Sequence, residues 1–166
     1  MLKITTGCMF AGKTNALIRD IPDRSYIVID YDTEHKSTPY PSFLQSHDGF
    51  TIDCIKSTVL ENLTFDVDSI LINEAQFFKG LVNFVKFAIK QGKHIFIYGL
   101  DGDFKQEEFG DILKLIPLCD TYVKLYATCS CGKPAAFSKR ISDNQEQYSP
   151  YDTYRPSCRQ CLTYAV

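Results

Sequence analysis

Gly7-Cys8-Met9-Phe10-Ala11-Gly12-Lys13-Thr14 constrains this chain more than any other segment. It fits G-x-x-x-x-G-K-[ST], a loop whose backbone amides cradle phosphates. In such a loop Lys13 reaches the β- and γ-phosphates and the Thr14 hydroxyl meets Mg²⁺. The loop has meaning only between a strand and a helix. Residues 2–6 are rich in β-formers, and residues 14–21 read as a helix stopped by Pro22. A chance glycine turn ahead of a helix is the competing reading, and the full strand–loop–helix context weighs against it.

A phosphate loop of this kind sits in a sheet of mostly parallel strands. Residues 26–31 and 69–73 form apolar, β-branched runs typical of buried strands, and residues 50–54 and 94–98 predict two more. Residues 81–91 place Leu81, Phe84, Val85 and Ala88 on one helical face, with Gly92 just beyond. Residues 35–49, with Pro39, Pro41 and Gly49, read as a loop. The expected class is α/β: a P-loop NTPase-type, mostly parallel sheet flanked by helices. From about residue 120 the texture changes. Residues 121–127 look strand-like, two cysteine pairs follow, and a polar stretch at 142–150 separates them. The chain is therefore divided into a domain at 1–120 and a small lobe at 121–166.

Net charge of −2 argues against a nucleic-acid partner, which needs a basic surface. It leaves room for a small anion, since backbone amides bind phosphate without net positive charge. No apolar run approaches the roughly 20 residues that span a bilayer. The opening residues read as a first strand rather than a secretory leader, so the expected partners exclude membrane and the expected location is the cytoplasm.

A P-loop needs a carboxylate at the end of another buried strand, and Ile70-Leu71-Ile72-Asn73-Glu74 supplies one. Glu74 can take a proton from an attacking hydroxyl or hold the metal through water; a surface glutamate at a strand end is the plainer alternative. Asn73 stands where many P-loop proteins place the Asp that partners Mg²⁺, and a neutral amide binds that cation more weakly. Cys129, Cys131, Cys158 and Cys161 are spaced as a four-cysteine zinc ribbon. Cys129-Ser130-Cys131 is one residue short of the regular pair, and reduced buried thiols are the alternative. Cys8, Cys54 and Cys119 read as small buried residues.

These motifs together resemble the type II thymidine kinases, the family of cytosolic animal, poxviral and bacterial enzymes. The loop resembles G-P-M-F-[SA]-G-K-[ST], and Glu74-Ala75-Gln76-Phe77-Phe78 resembles D-E-[AG]-Q-F-F from the Glu onward. Gly99-Leu100-Asp101-Gly102-Asp103-Phe104, Phe109-Gly110 and Leu115-Ile116-Pro117-Leu118 continue the likeness through to Cys158-Arg159-Gln160-Cys161. The resemblance implies transfer of the γ-phosphoryl of ATP to the 5′-hydroxyl of thymidine, with deoxyuridine as a second acceptor, in deoxynucleotide salvage. It implies Mg²⁺ with ATP, at Thr14 and Asn73, and a structural Zn²⁺. Glu74 would be the base. Met9, Phe77, Leu100, Phe104 and Phe109 would pack around thymine, although aromatics at these positions serve equally well as core. Tyr154 matches the tyrosine of the nucleoside-holding loop, and Arg140 matches an arginine of the T-K-R-type segment. The family also suggests a homo-oligomer, tetramer or dimer, and raises feedback by thymidine triphosphate as an expectation.

Five departures from the family pattern bear on activity. Asn73 replaces Asp, Cys8 replaces the loop proline, and the segment after the P-loop ends early at Pro22. Asp32-Thr33-Glu34 lies where the family shows Asp-x-Arg, and Ser149-Pro150 stands where it has Gly-Gly. Two further readings follow from these: a deoxynucleoside kinase of altered base preference, and a degenerate member that binds nucleotide with little chemistry.

Overall fold

The computed structural model describes residues 1–33, 42–46, 48–61, 63–149 and 151–163. Along the chain, β1 (Leu2–Gly7) passes through the phosphate-type loop into α1 (Lys13–Arg19). Then come β2 (Tyr26–Tyr31), β3 (Ser42–Gln45), β4 (Thr51–Ser57), β5 (Ser69–Asn73), α2 (Leu81–Lys90), β6 (His94–Gly99) and β7 (Thr121–Leu125). These seven strands form one sheet in the order β3-β4-β2-β5-β6-β1-β7. Its pairings are parallel, except β3 with β4. The mostly parallel, helix-flanked sheet read from the sequence is the fold observed. Among the described residues no helix is long and apolar enough to cross a membrane.

Alternation along the parallel strands feeds both faces. β5 is buried over its whole length, as a central strand covered on both sides must be. Ile70 and Ile72 join Ile4, Ile29, Ile95 and Ile97 under Leu81, Val85 and Ala88 of α2. Leu71 turns the other way, to Val28, Phe96 and Tyr98, beneath Ala16 and Leu17 of α1. Each fully buried Leu or Ile contributes about 1.5–3 kcal/mol, so these two layers hold the strand ends in place.

The structure differs from the sequence reading at several places. The stretch read as a loop at 35–49 contains β3, an edge strand antiparallel to β4. Ser42 and Leu44 turn inward and Phe43 and Gln45 outward, an alternation too brief to register as a strand. Residues 34–41 and 47 lie outside the described residues. The strand expected at 50–54 runs on to Ser57 as β4. α1 ends at Arg19, two residues before Ile21, with the Asp20 N–H bonded to the Ala16 and Leu17 carbonyls. Ile112–Leu118, carrying Pro117, forms a 3₁₀ helix.

Thr121–Leu125, read as the start of the small lobe, instead pairs in parallel with β1 and extends the main sheet. Its residues lie in register with the strand that carries the phosphate loop, which a reading of local texture cannot detect. Beyond it lie β8 (Ala127–Thr128) with β9 (Pro134–Ala135), β10 (Phe137–Arg140) with β11 (Tyr154–Ser157), and the short α3 (Arg159–Thr163). The lobe touches the phosphate loop directly. Ser138 Oγ accepts the Met9 N–H at 2.9 Å, and the Cys8 thiol lies 3.3 Å from the Ala135 carbonyl.

Gln76 crowds two glycines. A Cβ on Gly110, whose φ is +66°, would strike the Gln76 backbone carbonyl, and one on Gly99 would strike the Gln76 side chain and Ile112. Gly110→Ala combines a left-handed backbone with a backbone clash, and is expected to destabilise by about 2 kcal/mol or more. A urea titration reads this as a lowered midpoint at constant slope; an unchanged midpoint would show that the turn relaxes freely.

Candidate active site

In parallel α/β sheets ligands bind beyond the carboxyl ends of the strands. Here β1, β6, β5 and β2 end around a cavity of about 360 Å³. Met9, Phe10, Gly12, Lys13 and Thr14 line it from the loop, Asn73 and Glu74 from β5, and Leu100 from the end of β6. The structure thus brings the phosphate loop and the strand-end carboxylate to one cavity.

The loop is shaped by left-handed backbone at Phe10 (φ 65°) and Gly12 (φ 81°). Lys13 is buried, and its Nζ donates to the Cys8 carbonyl at 2.9 Å. Burial lowers the Lys13 ammonium below its ordinary range, against the opposing pull of Glu74, Cys8 and Asp101. An ammonium so stripped of water gains from an anion in the cavity.

Glu74 also takes a left-handed conformation, φ 50° and ψ 40°, which costs about 1–3 kcal/mol in a non-glycine residue. Strain of this size persists where surroundings over-determine it, and they do here. Gln76 Nε2 donates to Glu74 Oε2 at 2.6 Å, while Gln76 Oε1 accepts the Leu100 N–H at 3.0 Å. One buried amide therefore locks the carboxylate to the end of β6. Beside it, Asn73 Nδ2 donates to Asp30 Oδ1 at 2.8 Å, and the other Asp30 oxygen pairs with Lys56. Burial alone would lower the Lys56 ammonium; the hydrogen bond and charge of Asp30 outweigh it and hold it above its usual value.

Aromatic residues wall one side. Tyr31 stacks on Phe77 with centroids 5.0 Å apart, and Tyr148 meets Phe77 edge-on at 4.8 Å. Of the residues implied to hold a nucleoside, Met9, Phe77 and Leu100 line the cavity. Phe109 backs Phe77 at 5.2 Å, and Phe104 and Tyr154 pack with Arg140, so these three are outside the lining. Asp30, Lys56, Gln76, Tyr31 and Tyr148 are lining residues that sequence reasoning missed. An aromatic in the polar stretch at 142–150 was the available signal for Tyr148; nothing local marked Asp30. Of the departures, Thr33 lines the cavity, Glu34 and Pro150 lie outside the described residues, and Ser149 is buried.

The four cysteines converge. The sulfurs of Cys129, Cys131, Cys158 and Cys161 lie within 4.8 Å of one another, with Cys131 and Cys158 at 3.6 Å. Zinc–sulfur bonds of about 2.3 Å imply tetrahedral edges of about 3.8 Å, so the set fits such an ion. A tight turn, with Gly132 N–H on the Cys129 carbonyl at 2.8 Å, brings the short pair round. The N–H groups of Cys131 and Cys158 lower the Cys129 thiol to about 6, and the Cys161 N–H lowers Cys158. Cys161, crowded by the Cys131, Cys129 and Cys158 sulfurs, is pushed up to about 12. Sulfurs that compete for negative charge in this way are what a divalent cation relieves.

Arg140 organises the loop between β10 and β11. Its side chain is 1% exposed. It donates to the carbonyls of Asn144 (2.6 Å) and Glu146 (2.5 Å) and to the Tyr154 hydroxyl (2.5 Å), and pairs with Asp152 at 3.2 Å. Its guanidinium lies 3.9 Å from the Phe104 ring centre. A lysine offers a point charge in place of this planar fork. Arg140→Lys is expected to speed amide exchange across residues 142–149 by about tenfold or more, the worth of one charge-assisted bond; unchanged exchange would show that the loop holds itself.

Comparison with known proteins accords with this geometry. Residues 1–162 match the family model for thymidine kinase. The thymidine kinase of sheeppox virus is 36% identical over 170 residues, covering 96% of this chain and 95% of its own length. That of vaccinia virus (Western Reserve) is 35% identical over 172 residues, with 96% and 95% covered. The cytosolic thymidine kinase of Bos taurus is 32% identical over 171 residues, with 96% and 71% covered. With its phosphate loop, strand-end glutamate and cysteine cluster in one matched span, the chain belongs to the thymidine kinase family.

Proposed function

We propose that this chain is an ATP-dependent thymidine kinase, transferring the γ-phosphoryl of ATP to the 5′-hydroxyl of thymidine. The observation that carries the reading is one cavity holding Lys13, Thr14 and Glu74. The triphosphate lies on the loop amides, and Lys13 meets its β- and γ-oxygens. Thr14 and Asn73 would hold Mg²⁺, which neutralises charge on the transferring group. The 5′-oxygen attacks the γ-phosphorus as the bond to the β,γ-bridging oxygen breaks; ADP leaves and the proton passes to Glu74. Gln76 holds that carboxylate in place. Met9, Phe77, Leu100 and Tyr148 face the base, with Phe109 supporting Phe77 and the Phe104–Arg140–Tyr154 cluster holding the loop that closes over it.

A cytoplasmic location, a homo-oligomeric assembly and feedback by thymidine triphosphate are part of the same proposal. The assembly and the feedback rest on the family alone. The two-part division of the chain, read from the change of texture near residue 120, is proposed with its boundary after Leu125, because β7 pairs into the main sheet. The cysteine cluster would carry one structural Zn²⁺, stabilising a lobe whose buried apolar residues are few among those described.

A transfer assay with purified protein, ATP, Mg²⁺ and a panel of deoxynucleosides tests the reading. Thymidine monophosphate is expected at turnover of about 1–100 s⁻¹. Transfer to another nucleoside would identify altered base preference, and ATP binding without transfer a nucleotide-binding homologue. Glu74→Gln is expected to cut turnover by about 10²–10⁴-fold with ATP affinity retained; retained turnover removes Glu74 from the chemistry. Elemental analysis should find about one zinc per chain, and Cys158→Ser should lose it and lower the melting temperature. A metal-free chain of full stability would exclude the zinc assignment.

A further inference from the structure

Asn73 leaves the metal side of the site without the carboxylate expected there. The fold supplies one from the next strand. Asp30 and Asn73 are register partners at the ends of β2 and β5. They are 4% and 3% exposed, and both line the cavity with Lys13, Thr14 and Glu74. An ionised aspartate only accepts hydrogen bonds. The 2.8 Å bond from Asn73 Nδ2 to Asp30 Oδ1 therefore fixes the amide's orientation, with its Oδ1 turned away from Asp30. The other Asp30 oxygen is held by Lys56, whose side chain is 27% exposed against 5% for Asp30. The lysine end of this chain of contacts is screened by water, and the aspartate end is not.

We propose that Asp30 is the positioning residue for the metal side of this site, aiming the Asn73 carbonyl oxygen at the nucleotide-bound divalent cation and lending it the negative charge the amide lacks. The proposal rests on the kinase reading for the presence of a metal-bound nucleotide, and its test needs no thymidine. Partners behind a metal ligand commonly set its affinity by 10–100-fold. The arrangement also gives Asn73→Asp a distinct outcome. That change alone places two carboxylates at hydrogen-bond distance, where they resist ionising together. It should help only when Asp30→Asn is made with it.

The experiment is a Mg²⁺ titration of the binding of a fluorescent, non-hydrolysable ATP analogue, with an EDTA control and circular dichroism of each variant. Asp30→Asn is expected to raise the Mg²⁺ needed by about 10–100-fold while leaving the analogue's affinity in EDTA intact. Lys56→Gln, which keeps the Asp30–Asn73 bond, should lower the Mg²⁺ needed, because the carboxylate loses its counter-charge. The double variant Asp30→Asn/Asn73→Asp should recover most of what Asp30→Asn loses. A wild-type Mg²⁺ dependence in Asp30→Asn, or equal losses in Asp30→Asn and Lys56→Gln, would make Asp30 a salt-bridge partner only and overturn the proposal. Should Asp30→Asn fail to fold, the double variant decides: folded, with Mg²⁺ dependence lost, it refutes the idea. Wild-type protein whose analogue binding ignores Mg²⁺ refutes it too. Failure of the kinase reading would appear separately, as wild-type protein that binds Mg²⁺ and analogue together yet transfers nothing to thymidine.

Discussion

The site depends on the side chain of one buried residue. The Gln76 amide faces Glu74 with its nitrogen and the Leu100 N–H with its oxygen, and so ties the end of β5 to the end of β6. The Gln76 backbone carbonyl fills the space a Cβ on Gly110 would need, and its side chain, together with Ile112, fills that beside Gly99. An amide with one donor and one acceptor engaged has no second orientation of equal energy, so Glu74 is held in a strained backbone conformation at one setting. The Glu74 carboxylate is thereby oriented before any ligand arrives, and in the base role proposed for it no reorganisation would be needed at the moment of reaction.

Beyond that amide, the frame is ordinary sheet physics. Both faces of β5 are covered, by α2 on one side and α1 on the other, so its register against β2 and β6 cannot slip without exposing a row of isoleucines. That register sets which residues end side by side. Asp30 opposite Asn73 is one such pair, and the charge it brings to the cavity comes from a strand that local motif reading would not search.

Much of this was legible in the sequence because it is local. The loop motif, the helix stripe of Leu81, Val85 and Ala88, and the buried runs at 26–31 and 69–73 announce themselves within a few residues. The cysteine spacing likewise foretold a cluster that the fold assembles. What stayed hidden is non-local. β3 is visible only against β4, β7 only against β1, and Asp30 only against Asn73. Phe104 and Tyr154, grouped with the base-facing residues by family likeness, sit against Arg140, whose buried charge needs aromatic faces and carbonyls to satisfy it.

Cys8 shows how a departure from the family pattern can be absorbed. A proline at this position has no side-chain donor. The cysteine thiol lies 3.3 Å from the Ala135 carbonyl, and burial raises its pKa, keeping it in the protonated, donating form. Ala135 is fully buried in the same small cluster as Cys129 and Cys158, and β9, which carries it, pairs with β8 just ahead of Cys129. Ser138 makes a second tie, to the Met9 N–H. The phosphate loop is therefore braced from the metal-type cluster through two short hydrogen-bonded paths. Loss of order among the four sulfurs would reach Cys8 and Met9 before it reached the main sheet, because among the described residues the sheet's buried core shares no residue with the cluster around the cysteines. The residues around the cysteine cluster thus fix one side of the phosphate loop, while the sheet fixes the other.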